Sequence, residues 1–100
     1  MPSRGALMLS AADNVATAIE DVVPGAEVPV RLGKRVTWVR ALEKIPYGFK
    51  LAVADIAQGA PVFKYGDPIG VATSDITKGQ LVHVHNLEGA RGRGDLAGRD

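Results

Sequence analysis

A chain of 100 residues with 46% hydrophobic residues, 23% charged residues and net charge +1 has the composition of one small domain with a modest core. That balance excludes wholesale disorder and speaks against a polyanion-binding surface, and the absence of cysteine excludes a disulfide scaffold, a thiolate zinc site and a cysteine nucleophile. The apolar part of Met1–Leu9 is too short for a secretory signal, and no run approaches the roughly 18 apolar residues that span a bilayer, so a soluble cytoplasmic protein is expected.

In chain order, Asn14 to Ile19 alternates as a strand with Val15, Thr17 and Ile19 on one face. Ser10 to Val23 is the only stretch with a rival helical reading, and β-branched Val15, Thr17 and Ile19 argue against it. A turn at Leu32-Gly33-Lys34-Arg35 leads into Val36–Leu42, which predicts a hairpin. Lys50–Ala54 and Pro61–Tyr65 are the next strands, and Tyr65–Gly70 turns the chain into Ile69–Thr73. Six to eight short strands with little helix make the fold class all-β.

One short pattern, apolar-x-x-Gly-x-x-apolar, occurs four times, starting at Val22, Ile45, Ile56 and Ile76 with glycines at Gly25, Gly48, Gly59 and Gly79. Asp21, Asp55 and Asp75 precede three of the copies. The pattern reads as a tight turn between a core anchor and a new strand, with glycine supplying a positive φ. Its irregular spacing excludes a solenoid.

Both histidines fall in Gln80-Leu81-Val82-His83-Val84-His85-Asn86. Read as a strand, this run sets His83 and His85 on one face and turns Val82 and Val84 toward a core. Two imidazoles are half of a metal site or a grip on an anion; Asp13, Asp67 and Asp95 are the carboxylates available to complete it. The plainer alternative is two polar residues facing solvent on an edge strand. Lys50 and Lys64, both on strands, are able to bind a carboxylate or, if desolvated, act as a base. Residues 6–88 form the domain, and 89–100, with Arg91 and Arg93, reads as a flexible Gly/Arg-rich tail. No nucleophile elbow and no basic stripe with interleaved aromatics is present.

Five blocks occur in order: Asp13-Asn14-Val15-Ala16, Ile45-Pro46-x-Gly48-x-Lys50, Asp55-Ile56-x-x-Gly59, Lys64-Tyr65-Gly66-x-x-Ile69-Gly70-x-Ala72, and Gly79-x-x-Val82-His83-x-His85-Asn86. Together they resemble the SAF unit of the altronate/galactarate dehydratase family, and the chain is also similar to the small subunits of sulfolactate sulfo-lyases. The resemblance implies a compact β-clip fold working beside a large dehydratase catalytic subunit. It implies elimination of water (or sulfite) from an acidic, polyhydroxylated substrate, a sugar acid where water is lost, with a divalent metal (iron or manganese) shared with that subunit. It implies that His83 and His85 face the substrate or metal, and that Asn14, Lys50, Lys64 and Asn86 orient hydroxyls or the carboxylate. One position departs: relatives usually read Ile-Pro-x-Gly-His-Lys, whereas Phe49 stands here, and phenylalanine neither ligates a metal nor moves a proton. The alternative reading is a stand-alone SAF-type module that binds a carbohydrate or a protein without catalysis.

Overall fold

The computed structural model describes residues 4–89, and every element in them is a strand, turn or bend. The expected all-β class is what is found, with nine strands in place of six to eight. They are β1 (Ala6–Leu7), β2 (Val15–Ala18), β3 (Glu27–Leu32), β4 (Arg35–Arg40), β5 (Lys50–Ala52), β6 (Pro61–Lys64), β7 (Asp67–Ala72), β8 (Leu81–Val82) and β9 (Leu87–Gly89). One six-stranded sheet runs β4-β3-β1-β2-β5-β8 and a three-stranded sheet runs β6-β7-β9. The tail from residue 90 onward, with Arg91, Arg93 and Asp95, lies outside the described residues, while Gly89 still pairs with Gly70.

The four Gly turns organise the fold in pairs. Val22 and Ile45 form one antiparallel bridge and Ile56 and Ile76 another. The N–H of each turn glycine donates to an alanine carbonyl of the partner copy: Gly25 to Ala41 (2.7 Å), Gly48 to Ala18 (2.8 Å), Gly59 to Ala72 (2.8 Å) and Gly79 to Ala52 (2.9 Å). Each alanine stands four residues ahead of its own copy's apolar anchor, so the unit is Ala-x-x-(Asp/Lys)-(Val/Ile)-x-x-Gly. All four alanines are at most 2% exposed, so a larger side chain there has no room, and all four anchors are at most 4% exposed. Burying one such Val or Ile contributes about 1.5–3 kcal/mol. The result is two local dyads, one made by the first two copies and one by the last two.

The aspartates ahead of the copies cap their partners' turns. Asp21 Oδ1 accepts from Tyr47 N–H, Asp75 Oδ1 from Gln58 N–H and Asp55 Oδ1 from Lys78 N–H, each at 2.8 Å. The fourth equivalent cap is missing on both sides. Lys44 occupies the acceptor position, and the donor position is Pro24, which has no N–H.

Each dyad has its own core. Ala16, Ala18, Val22, Val28, Val30, Val39, Ile45 and Leu51 belong to the first, whereas Val15, Ala52, Ile56, Val62, Ile76 and Val82 belong to the second. Strand β2 serves both, with Val15 packed in one core and Ala16 in the other, which is why both faces are apolar and the expected one-sided alternation fails. Asn14 fastens the sheets together: its Oδ1 accepts from Phe63 N–H (2.8 Å) and its Nδ2 donates to the Pro61 carbonyl (3.0 Å).

Candidate functional site

The strand reading of 80–86 needs correction. Strand β8 ends at Val82, and His83–Asn86 is a turn closed by the Asn86 N–H donating to the His83 carbonyl (3.0 Å). The Asn86 side chain, 4% exposed, determines this: its Oδ1 accepts from His83 N–H (2.9 Å) and its Nδ2 donates to the Leu81 carbonyl (2.8 Å). Turning the backbone there removes the shared strand face of the two histidines. Val84 is 79% exposed rather than in a core, and His85 is exposed at the tip of the turn. His83 is half-buried, its ring 4.6 Å from the Phe49 ring and inclined by 48°.

The sequence-predicted polar residues separate into two kinds. Asn14 and Asn86 have both ends of their side-chain amides engaged with backbone groups. Asp13 is engaged in the same way, with Oδ1 accepting from Gly66 N–H (2.7 Å) and Oδ2 accepting from Leu9 and Ser10 N–H. These three hold loops in place. Lys50 and Lys64 have no carboxylate within ion-pair distance among the described residues, where the ion pair present is Arg40 with Glu27 at 3.5 Å.

The lysines come from different sheets, and each adjoins one member of a Thr17–Tyr65 pair. Lys50 lies on β5, half-buried, in register with Thr17 on β2. Lys64 ends β6, and its Nζ lies 4.8 Å from the centre of the Tyr65 ring. The Tyr65 hydroxyl in turn lies 3.4 Å from Thr17 Oγ1. Burial, and next the like charge of Lys64, lower the pKa of Lys50 from its ordinary 10.5. Neither lysine has an ion-pair partner among the described residues, although Asp67 is the register partner of Lys64, so an anionic ligand that reaches both gains on arrival.

Thr17 and Tyr65 went unremarked as site residues in the sequence. The available signal was an aromatic ahead of Gly66 in a two-residue hairpin loop, where Asn, Asp or Gly is the usual choice. A shallow cleft of about 390 Å³ lies at the second dyad, lined by Asp55, Ile56, Ala57, Asp75, Ile76 and Thr77. Both of its aspartates already cap turns, and it shares no residue with the lysine cluster.

For a metal, no three His, Asp or Glu side chains gather among the described residues. His83 and His85 alone do not make a site, so a metal held by them needs ligands from beyond these residues.

The comparison with known families settles the lineage. Residues 4–90 match the model of the altronate/galactarate dehydratase SAF domain. The chain belongs to this family. It is 44% identical over 80 residues to an altronate dehydratase of Escherichia coli (strain K12) and 36% identical over 76 residues to one of Bacillus subtilis (strain 168). These alignments take in 80% and 76% of this chain but 15% and 14% of those dehydratases. It is also 43% identical over 49 residues to the (2R)-sulfolactate sulfo-lyase subunit alpha of Chromohalobacter salexigens, covering 49% of this chain and 52% of that subunit. The SAF family thus supplies both a segment of long dehydratases and part of a separate lyase subunit. No helix among the described residues is long and apolar enough to cross a membrane.

Proposed function

We propose that this SAF domain is the small component of a hydro-lyase of the altronate/galactarate dehydratase type, eliminating water from a sugar acid together with a large catalytic subunit. The observation that carries this reading is that Lys50 and Lys64, from two sheets, flank the Thr17–Tyr65 pair and have no ion-pair partner among the described residues. In this reading Lys50 and Lys64 hold the substrate carboxylate, and their charge stabilises the enediolate that forms when a base of the large subunit takes the α-proton. His83 stands next to Val82, the register partner of Lys50, and in this reading donates a proton to the leaving hydroxyl. Asn14 and Asn86 act by fixing the β6 backbone and the His83 turn. A divalent metal such as iron or manganese, shared with the large subunit through His83 and His85, belongs to this reading only with ligands from that subunit, and no step here depends on it.

The test is co-expression with a large dehydratase subunit from the same genome. A stable complex that turns over a sugar acid, with turnover lost in Lys50→Ala and Lys64→Ala, supports the proposal. A large subunit that neither binds this chain nor needs it for turnover refutes it.

A second reading rests on Phe49. It fills the place beside His83 where relatives usually carry a histidine, and its ring adds packing instead of a proton carrier. This favours a module that binds the sugar acid without chemistry. Binding by the chain, with no gain in turnover on adding the large subunit, would establish that alternative.

A further inference from the structure

Among the described residues, Tyr65 is the one with positive φ that is not glycine (φ +58°), and Gly66 follows at φ +82°. The two form the loop between β6 and β7, whose strands pair from Lys64 with Asp67. A loop of this shape suits Asn-Gly, and a bulky aromatic at its first position is strained because its Cβ crowds the backbone. Such outliers persist only where the surroundings over-determine them. Here three contacts do so. Asp13 Oδ1 accepts from Gly66 N–H (2.7 Å), Lys64 Nζ lies on the ring, and the hydroxyl meets Thr17 Oγ1.

The strained backbone therefore carries a phenol to one defined place. Thr17 is the register partner of Lys50, so the tyrosine hydroxyl arrives at the strand position next to one lysine while its ring lies against the other. Lys50, Thr17, Tyr65 and Lys64 thus form one connected series across β5, β2, the β6–β7 loop and β6. A tyrosine needed only for packing on Lys64 has no use for its hydroxyl at that position.

We propose that Tyr65 is a ligand-binding residue: Thr17 donates to the phenolic oxygen, and the phenolic proton is donated to a hydroxy-acid carboxylate held between Lys50 and Lys64. This rests on the reading above that the lysine pair receives a sugar-acid carboxylate. It adds the neutral donor that fixes the carboxylate's orientation, which two mobile ammonium groups do not. The left-handed backbone is then the preorganising device, keeping the phenol in place before the ligand comes.

The test is titration of the ¹⁵N-labelled full chain with galactarate, with galactitol, the same hydroxylated skeleton without carboxylates, as the uncharged control. Galactarate is expected to shift the resonances of Lys50, Lys64 and Tyr65, and galactitol to leave them in place. Tyr65→Phe keeps the ring over Lys64 and is expected to weaken galactarate binding roughly 3- to 10-fold, the loss of one hydrogen bond. Tyr65→Asn relieves the backbone and is expected to raise the melting temperature by a few degrees while weakening binding at least as much. That pair of opposite changes is the signature of strain kept for binding. Unchanged affinity in either variant, or a Tyr65→Asn chain that melts lower, overturns the role of Tyr65 and leaves the lysine site standing. A wild-type chain whose lysine resonances ignore galactarate overturns the lysine site and this inference with it.

Discussion

The two dyads are built on one motif and differ at one joint. In the second, Asp55 and Asp75 cap each other's turns, on Lys78 and Gln58, so the arrangement is reciprocal. In the first, only Asp21 caps, on Tyr47, and the return cap has lost its donor to Pro24 and its acceptor to Lys44. Loss of one partner alone would leave an aspartate facing no donor or a turn N–H facing no acceptor. Losing both avoids that penalty, and Pro24 stiffens by its ring the turn that the cap no longer holds. The lesson is that the motif's conserved geometry lies in the backbone, in the Gly N–H to Ala carbonyl bonds present in all four copies, while the side-chain caps are replaceable.

That comparison is most readily broken at the glycines. A Cβ on Gly79 (φ +98°) would stand 2.2 Å from the Arg40 carbonyl oxygen, where the fourth turn touches the first dyad, whereas a Cβ on Gly59 (φ +86°) meets nothing within 4 Å. Gly79→Ala should destabilise by about 3 kcal/mol or more, and Gly59→Ala by about 1 kcal/mol from backbone strain alone. Equal losses in urea denaturation would show that the contact between dyads has no energetic weight.

Removing the caps is the next largest change. Asp55→Ala with Asp75→Ala should cost about 2 kcal/mol and Asp21→Ala about 1 kcal/mol, each cap being an exposed hydrogen bond to a carboxylate. The absent cap offers a sharper test of the same idea. Lys44→Asp alone should change stability by less than about 0.5 kcal/mol, because Pro24 has nothing to donate. Combined with Pro24→Ala it should show a favourable coupling of about 0.5–1 kcal/mol in a double-mutant cycle. No coupling would mean that the first dyad is not geometrically equivalent to the second.

The smallest effect concerns charge in the lysine cluster. With its pKa lowered by burial and by Lys64, Lys50 binds its proton less readily folded than unfolded. In the pH range just below 10.5 the unfolded chain therefore holds more protons, and stability attributable to Lys50 rises as pH increases toward 10.5. Lys50→Met should abolish that rise and leave the chain slightly more stable at neutral pH. Thermal melts across that range would show it, and an unchanged pH slope would contradict the burial of the Lys50 ammonium, the larger cause of its lowered pKa.

How much of this the sequence revealed depended on whether a feature had a side-chain signature. Gly25, Gly48, Gly59 and Gly79 with their apolar anchors were visible as a repeat because turns and cores select residue types. The alanines Ala18, Ala41, Ala52 and Ala72 were not, since what they contribute is a carbonyl, and only their smallness marks them. Val82-His83-Val84-His85 alternates like a strand, but Asn86 overrides that pattern by binding the backbone on both sides of His83, and alternation gives no weight to a competing side-chain acceptor. Lys50 and Lys64 were visible as candidates; their link through Thr17 and Tyr65 across two sheets is a matter of tertiary pairing.

The missing fourth cap also bears on how the chain finds its fold. Four interchangeable copies invite wrong partners during folding. With the native pairing, first with second and third with fourth, three caps form. Pairing the first copy with the third, or with the fourth, sets Asp55 or Asp75 against Pro24 and Lys44 against a turn that needs an acceptor, and either arrangement supports only two caps. One charge-assisted hydrogen bond at an exposed site, about 1 kcal/mol, favours the native partners roughly five-fold at the moment of choosing. Pro24 and Lys44 thus act as a mismatched key, telling copies of one motif apart in favour of the native pairing.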